Sequence, residues 1–523
     1  MTGVEKKLLF CKIDEVVFNV ILAKKRYKTK MSTIKQKTIN NLVWSVSERL
    51  SLQIVHIIIS IVLARLLDPK EFGLIGMLVI FTSIAQSILD SGFGSALIQK
   101  KDATETDSSS IFYFNLAVGI LLASILYFSA PIIAKFYQEP TLTSLTRVLS
   151  LNLVINAFSL VQLSLLRKAM AFKKHFAVSI TSVFISGFCG ILAAYKGLGV
   201  WSLVIQTLTN SISQALLLWI ISKWRPTRQF SMVSLKSMYS FGSKLLIAGL
   251  IETIFKNIYQ TFIGRNYSAE DLGYYSRAST METAASVSTS MALGQVIFPT
   301  FSPYQDDNEK LRRVHSTTIR MSMFVMAPLM IGLIAVAEPL FLFLLTEKWA
   351  NSIPYFQLLC VVGLLFPIVV QNYNLLRIKG RSDLHLKLEI VKYILTAIAI
   401  VLTYKSGIIA LLIGQISVAI LSHILVSHFA GKLIEYSLSD QLRELFPIVT
   451  TALAMGFVMY FVGKVDIKSN FLLFTFQSIV GILVYVGINT LIKSAELVEY
   501  KSIAGNLFKT ISAKVKSPPW KRH

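Results

Sequence analysis

Long apolar runs alternate with short polar gaps along almost the whole chain. Runs of about 20 apolar residues are the length that an α-helix needs to cross the hydrocarbon core of a bilayer. The pattern therefore predicts an all-α polytopic membrane protein with about 14 transmembrane helices. The predicted spans lie near residues 42–65, 72–95, 111–134, 142–165, 176–195, 200–222, 240–264, 279–299, 318–345, 354–376, 385–404, 408–430, 444–463 and 471–492.

Composition and charge placement favour the same class. Of the 523 residues, 54% are hydrophobic and 15% are charged, whereas a soluble protein has about 25% charged residues. The net charge of +24 suggests a nucleic-acid partner, but the Lys and Arg residues gather in every second gap between apolar runs. The segment "RKAMAFKKH" (167–175) is one such gap. This is the positive-inside pattern of a membrane protein, so we expect no nucleic acid and place both termini in the cytoplasm.

The spans and gaps also define a domain organisation. The run "VVFNVILA" within residues 1–30 is too short to cross a bilayer, and Met31 has the context of a natural start. We therefore expect residues 1–30 not to be native, with a basic cytoplasmic extension as the alternative. The predicted parts are a basic cytoplasmic segment (1–40), an N-lobe of helices 1–6 (41–222), a cytoplasmic linker (223–239), a C-lobe of helices 7–12 (240–430), helices 13 and 14 (444–492) and a basic cytoplasmic tail (493–523).

The sequence contains no recognisable catalytic or metal-binding pattern. Its gaps are short, and neither paired carboxylates, a nucleophile elbow nor a phosphate-binding loop is present. The three cysteines, Cys11, Cys189 and Cys360, have no metal-site or disulfide spacing. We therefore expect a protein that is not an enzyme, has no cofactor, and acts through its membrane helices.

An internal repeat relates the first six predicted helices to the next six. "LARLLDPKEFGLIGM" (63–77) aligns with "IGRNYSAEDLGYYSR" (263–277) at a shift of 200, which places Gly73 on Gly273. "YKGLGVWSLVIQ" (195–206) likewise matches "YKSGIIALLIGQ" (404–415). Because each half has an even number of spans, the repeats are parallel, and transporters of this kind bind substrate between the halves. Chance similarity of apolar segments is the alternative.

Polar residues share one face of the first and seventh predicted helices. Arg49, Gln53 and His56 recur at steps of three and four residues, which is the spacing of a helix face. Glu252 and Lys256 lie near the middle of their span, where each charge costs about 3 kcal/mol unless it meets water or a partner. In one interpretation these two residues pair with each other and the other polar groups hold helices together. In the other, the two faces line a wet cavity that receives an anionic headgroup, to which Arg donates paired hydrogen bonds.

The cavity interpretation predicts three groups of site residues. The candidates for headgroup binding are Arg49, Gln53, His56, Lys256, Asn257 and Gln260. The candidates for coupling to H⁺ or Na⁺ are Glu48, Glu252 and Glu282. The cations at the outer ends of helices are Arg65, Arg265 and Arg277, for which anchoring at the interface is the simpler role.

Ordered motifs between about residues 33 and 430 resemble those of a known family. They include "LARLLDPKEFGLIGM", "DSGFGSALIQKKD", "RKAMAFKKHF", "GRNYSAEDLGYYSRA" and "AEPLFLFLLTEKW". As a set they resemble the bacterial Wzx-type polysaccharide-unit flippases, in the colanic-acid-exporter-like branch of the multidrug/oligosaccharidyl-lipid/polysaccharide exporter superfamily. The N-terminal 30 residues depart from the family pattern, and the last two helices match it only in kind.

The resemblance implies two six-helix lobes around a central cavity, in the bacterial inner membrane. It also implies transport of an undecaprenyl-diphosphate-linked oligosaccharide from the cytoplasmic to the periplasmic leaflet by alternating access. Expected partners are membrane lipids and the polymerase and chain-length machinery of the same pathway. A multidrug or lipid II exporter of the same superfamily remains an alternative, as does a polytopic polymerase.

Overall fold

Every regular element that the structure describes is a helix. The computed structural model describes residues 51–90, 93–100, 102–301 and 307–501, so the question of Met31 lies outside the described residues. The α-helices are α1 Ser51–Leu66, α2 Pro69–Asp90, α3 Phe93–Gln99, α4 Glu105–Tyr137, α5 Leu142–Lys168, α6 Phe172–Tyr195, α7 Trp201–Ile221, α8 Met232–Asn266, α9 Ala269–Phe301, α10 Asn308–Ala335, α11 Ala337–Leu344, α12 Ser352–Ile378, α13 Ser382–Thr403, α14 Ile408–Gly431, α15 Leu438–Val462 and α16 Asn470–Leu491.

Within the described ranges, ten helical spans are long and apolar enough to cross a membrane. The chain is therefore an all-α multi-pass membrane protein, while the count of 14 spans stays a prediction. Helix α8 (35 residues), α9 (33 residues) and α13 (22 residues) are also long enough to span, and they carry the charges discussed below.

Several helix ends differ from the predicted spans, and local capping explains two of them. The helix predicted near 111–134 begins earlier, at Glu105, because Thr104 and Asp107 form a capping box at its start. The linker predicted at 223–239 is shorter, because the Ser231 hydroxyl accepts a hydrogen bond from the Ser234 N–H and α8 begins at Met232. The residues just before α8 are attached to the first half of the chain, because the Thr227 N–H donates to Ser109 Oγ over 3.0 Å.

The start of α2 crosses the start of α9 with backbone against backbone. A methyl group added at Gly73 would lie 1.6 Å from the Ala269 carbonyl oxygen, and one added at Gly273 would lie 1.9 Å from the Pro69 carbonyl oxygen. The shift of 200 relates Pro69 to Ala269 and Gly73 to Gly273. The contact of Gly73 with Ala269 is therefore equivalent to the contact of Gly273 with Pro69. This reciprocity is what a two-fold axis between the halves produces, so the crossing supports the predicted parallel repeat.

The last two helices are attached to the second half through α10. The Tyr485 hydroxyl of α16 donates to the Phe324 carbonyl of α10 over 2.9 Å. One turn earlier on α10, Arg320 forms an ion pair at 3.1 Å with Glu496, which follows α16. The pair α15 and α16 therefore forms part of the second half rather than lying across the boundary between the halves.

Candidate functional site

A cavity of about 310 Å³ opens between the two halves, bounded by α1 and α7 of the first half and α9 of the second. Its apolar wall includes Ile57, Phe72 and Leu203. Its polar lining comprises Gln53, His56, Ser60, Gln206, Arg277 and Thr280. The predicted polar face of the first helix therefore lines a cavity at Gln53 and His56.

Arg277 is the charged residue of this cavity, and it is only 5% exposed. Its guanidinium donates a hydrogen bond to Ser60 Oγ across the boundary between the halves. The guanidinium carbon also lies 4.2 Å from the centre of the Phe72 ring and 5.3 Å from that of Trp349. Among the described residues its Nε–H has no acceptor, and no carboxylate there forms an ion pair with it. Arg277 is thus a buried cation whose counter-charge is missing from its described surroundings.

Contacts between the halves close one end of this cavity, the end predicted to face outward. Arg65 donates to the carbonyls of Leu344, over 2.8 Å, and Phe343. Lys348 Nζ donates to the Arg65 carbonyl over 3.0 Å, and Trp349 Nε1 donates to the Ala64 carbonyl over 2.8 Å. We call Arg65, Leu344, Lys348 and Trp349 the clamp. Because all four hydrogen bonds join α1 to residues 343–349, the halves cannot separate at this end without breaking them.

Arg265 makes the corresponding contact from the other half. Its guanidinium carbon lies 5.2 Å from the centre of the Phe136 ring, at the end of α4. Arg65 thus reaches from the first half to the second, and Arg265 from the second half to the first. Both cations join the halves, which is a more specific role than the anchoring at the membrane interface that the sequence suggested.

Glu252 and Lys256 are both exposed on α8, and neither lines the cavity around Arg277. Among the described residues, neither side chain forms a hydrogen bond or an ion pair. The intrahelical pair of the first interpretation is therefore not formed. Asn257 is buried and donates to the Thr253 carbonyl over 2.8 Å, while the buried Gln260 Oε1 has no described partner.

The carboxylates proposed for coupling lie apart from the cavity or outside the described residues. Glu282 of α9 points into the second half, where its Oε1 would lie 2.3 Å from a methyl group added at Gly363 of α12. The cavity residues Arg277, Thr280 and Met281 occupy a different face of the same helix. Glu48 and Arg49 lie outside the described residues.

The sequence did not single out several residues of this region. Gln206 and Thr280 line the cavity, and Phe72 and Trp349 enclose the Arg277 guanidinium. A signal for Gln206 was present, because it matches Gln415 in the repeat. No comparable signal identified Trp349, since its contacts come from the approach of distant segments.

Comparison with known families agrees with this architecture. A family model described as "Polysaccharide biosynthesis protein" matches residues 62–354, which is more than half of the chain. The chain belongs to the polysaccharide biosynthesis protein family. This family assignment confirms the resemblance that the sequence motifs indicated.

Similar members are proteins of polysaccharide pathways. The teichuronic acid biosynthesis protein TuaB of Bacillus subtilis (strain 168) is 30% identical over 68% of this chain and 74% of its own length. The lipopolysaccharide biosynthesis protein WzxC of Escherichia coli (strain K12) is 27% identical over 75% of this chain and 80% of its own length. The succinoglycan biosynthesis transport protein ExoT of Rhizobium meliloti (strain 1021) is 28% identical over 64% of this chain and 68% of its own length.

Solved structures show the same fold at lower identity. The lipid II flippase MurJ, in an inward closed conformation, has a TM-score of 0.71 at 15% identity and covers 86% of this chain and 98% of its own. An inward-facing multidrug resistance MATE family transporter of the MOP superfamily has a TM-score of 0.58 at 16% identity, covering 75% of this chain and 99% of its own. The chain thus has the fold of the MOP transporters.

Proposed function

We propose that this protein is a flippase for undecaprenyl-diphosphate-linked oligosaccharide units. It moves them from the cytoplasmic to the periplasmic leaflet of the bacterial inner membrane, with both of its termini in the cytoplasm, for assembly of a cell-surface polysaccharide. The family supports a role in polysaccharide biosynthesis, and the fold supports transport by two lobes in alternating access. The single observation that carries the proposal is Arg277, the buried cation without a counter-charge.

A buried guanidinium without a paired anion costs several kcal/mol, so a protein retains one where a ligand supplies the anion. A diphosphate suits Arg277, because a planar guanidinium donates paired hydrogen bonds to phosphate oxygens. Phe72 and Trp349 stabilise the charge through their ring faces while no anion is bound. The sequence suggested that Arg277 is an anchoring cation. We instead assign it the central position in the proposed headgroup site.

The other polar groups of the cavity suit the sugar end of the substrate. Gln53, Gln206 and Thr280 offer amide and hydroxyl groups that exchange hydrogen bonds with sugar hydroxyls. His56 offers a ring nitrogen at the same wall. A volume of about 310 Å³ lies at the small end of ligand pockets, so it holds the diphosphate and its nearest sugar, and a longer unit requires the halves to separate.

Exposed charges on α8 complete the proposal. Lys256, with Arg49, attracts the diphosphate as it enters, and Asn257 and Gln260 extend the polar surface beside it. Glu252, Glu282 or Glu48 exchanges H⁺ or Na⁺ between the two access states. The lipid tail stays in the bilayer between the lobes, so only the headgroup crosses through protein. No bond of the substrate is made or broken, so the protein is not an enzyme, and the polymerase and chain-length machinery act after it.

Leaflet-resolved measurement of the lipid-linked oligosaccharide tests the proposal. Cells lacking the protein are complemented with wild type, Arg277→Ala, Arg277→Lys or Arg147→Ala at equal membrane abundance. Arg147→Ala is the matched control, because Arg147 also lies over an aromatic ring, that of Tyr127, but outside the cavity. We expect the cytoplasmic-leaflet intermediate to rise at least about tenfold with Arg277→Ala, less with Arg277→Lys, and not with Arg147→Ala. Normal clearance by Arg277→Ala would contradict the proposed headgroup site.

The likeness to the MurJ fold favours one second candidate, export of lipid II. Both substrates carry a polyprenyl diphosphate, so Arg277 does not distinguish them. Restoration of peptidoglycan synthesis in cells depleted of their lipid II flippase would identify that activity. A multidrug exporter for cationic compounds fits less well, because Arg277 repels a cation, and a polymerase lacks support among the relatives.

A further inference from the structure

The hydrogen bond between Arg277 and Ser60 joins the two halves inside the cavity. Arg277 Nη1, in α9 of the second half, donates to Ser60 Oγ, in α1 of the first half. No other hydrogen bond joins this guanidinium to the residues that the structure describes. Ser60 therefore holds the guanidinium at one nitrogen, and the remaining N–H groups are left for a ligand.

Aromatic rings from both halves restrict the same guanidinium. The Phe72 ring, near the start of α2, lies 4.2 Å from the guanidinium carbon, and the Trp349 ring of the second half lies 5.3 Å from it. The two rings also contact each other edge-on, with 5.4 Å between their centres. A cation is attracted to ring faces of this kind. The orientation of Arg277 is thus set by Ser60 and Phe72 of the first half as well as by its own half.

The contact at Ser60 lies one helical turn from the clamp. Trp349 Nε1 donates to the Ala64 carbonyl over 2.8 Å, and Ala64 follows Ser60 by one turn of α1. Both hydrogen bonds therefore run from the second half to the same short stretch of one helix. When α1 moves away from Trp349 and the clamp opens, Ser60 moves away from Arg277 as well.

We infer that Ser60 is a positioning residue for Arg277, so that the anion site is complete only while the clamp is closed. This inference rests on the proposed headgroup site. With the clamp closed, Ser60 and Phe72 hold the guanidinium in one orientation before the diphosphate arrives, which favours binding. With the clamp open, Arg277 loses both groups, and the affinity falls. Binding and closure thus stabilise each other, and opening at the end predicted to face outward favours release.

Binding of inorganic pyrophosphate tests the inference without a transport measurement. Isothermal titration of the purified protein in detergent gives the Kd for wild type, Ser60→Ala, Ser60→Thr and Arg277→Ala. We expect Ser60→Ala to raise the Kd about tenfold, because a hydrogen bond that orients a charged group is lost. Ser60→Thr keeps the hydroxyl and should stay within about twofold of wild type, whereas Arg277→Ala should not bind.

Ser182→Ala is the matched control for the loss of a serine hydroxyl. Ser182 is buried in α6, and its hydroxyl donates to the Val178 carbonyl of the same helix over 2.9 Å. It does not line the cavity around Arg277. This variant should bind pyrophosphate as wild type does.

A second measurement follows the clamp itself and gives a readout that a merely structural role of Ser60 would not change. Spin labels at Lys70 and Glu347, both exposed, report the closed-to-open ratio at this end. Because coupling between two equilibria is reciprocal, saturating pyrophosphate should raise this ratio about tenfold in wild type and less than about twofold in Ser60→Ala.

Several results would overturn the inference. If Ser60→Ala binds pyrophosphate as tightly as wild type, the hydroxyl does not position Arg277, and if it binds more tightly, the hydroxyl competes with the anion. If Ser60→Thr binds as weakly as Ser60→Ala, the hydroxyl is not the group that matters. If pyrophosphate lowers the closed-to-open ratio, the site does not favour the closed clamp. All of these leave the headgroup site intact, provided that Arg277→Ala abolishes binding. Binding that survives Arg277→Ala, or no binding to wild type, contradicts the headgroup site and the inference together.

Discussion

The two repeat-related halves share a backbone arrangement, but the side chains at the cavity around Arg277 differ from those at the equivalent positions of the repeat. At the cavity between the halves, α1 of the first half contributes His56 and α9 of the second half contributes Arg277. At a shift of 200, the positions matching Arg277 and Met281 are Met77 and Phe81, and Met77 is 1% exposed in the hydrophobic core. Conversely, the position matching His56 carries Lys256, which is exposed. The repeat therefore gives both halves the same backbone geometry. At this pair of equivalent positions, however, only the second half has a buried cation, Arg277, where the first half has Met77.

Exchanging the two equivalent residues tests this asymmetry with the largest expected effect. Met77→Arg places an unpaired charge in the apolar core, and we expect it to lower the free energy of unfolding by about 3–5 kcal/mol. Arg277→Met should leave stability unchanged or raise it, because it removes an unpaired buried charge, yet it should abolish transport. Thermal unfolding in detergent and the leaflet assay measure the two effects separately. Equal loss of stability in both variants would mean that Arg277 is structural.

A substitution at the crossing of α2 and α9 should weaken the packing between the two halves. Gly73→Ala places a methyl group against the Ala269 carbonyl, and we expect a loss of about 3 kcal/mol because backbones must separate. Gly487→Ala is the control, since no neighbouring atom of the described residues lies within 4 Å of the added methyl group. Membrane yield and Tm measure both variants. If the two glycines tolerate alanine equally, the crossing is not a close backbone contact in the membrane.

The clamp allows a smaller and more selective perturbation. Trp349→Phe keeps an aromatic ring beside Arg277 but removes the hydrogen bond to the Ala64 carbonyl. A net hydrogen bond contributes about 1 kcal/mol, so we expect the open-to-closed ratio at this end to rise about fivefold. Distances between spin labels at Lys70 and Glu347, both exposed, report that ratio. An unchanged distance distribution would show that the Trp349 hydrogen bond does not hold the halves together.

The smallest effect on stability is expected at α8. Glu252→Gln and Lys256→Met should each change the free energy of unfolding by less than about 0.5 kcal/mol, because both side chains are exposed without described partners. Their transport rates should nevertheless fall, since they meet substrate or coupling ion. If stability falls while transport per folded molecule is unchanged, the charges hold helices together as the simpler interpretation proposed.

Helical periodicity was sufficient to predict the shared helix face of Gln53 and His56. Their spacing placed them on one face, and that face does line a cavity. The repeat likewise aligned Gly73 with Gly273, and these two glycines make equivalent contacts in the structure. Both results depend on local geometry, either the pitch of one helix or the equivalence of two segments, and local geometry can be read from a single chain.

The role of Arg277 could not be derived in this way. A cation near the end of a helix usually anchors at the membrane interface, and only the approach of Ser60, Phe72 and Trp349 from other segments shows it to be buried.

The reciprocal glycine crossing has a consequence for how such a chain can evolve. In a symmetric dimer of two identical six-helix halves, one residue at this place would face its own copy, and every mutation would alter both sides of the axis together. Joining the halves in one chain removes that restriction, because position 73 and position 273 are then inherited separately. A cation can consequently be acquired on one side of the axis alone, where a symmetric ancestor would have had to accommodate two.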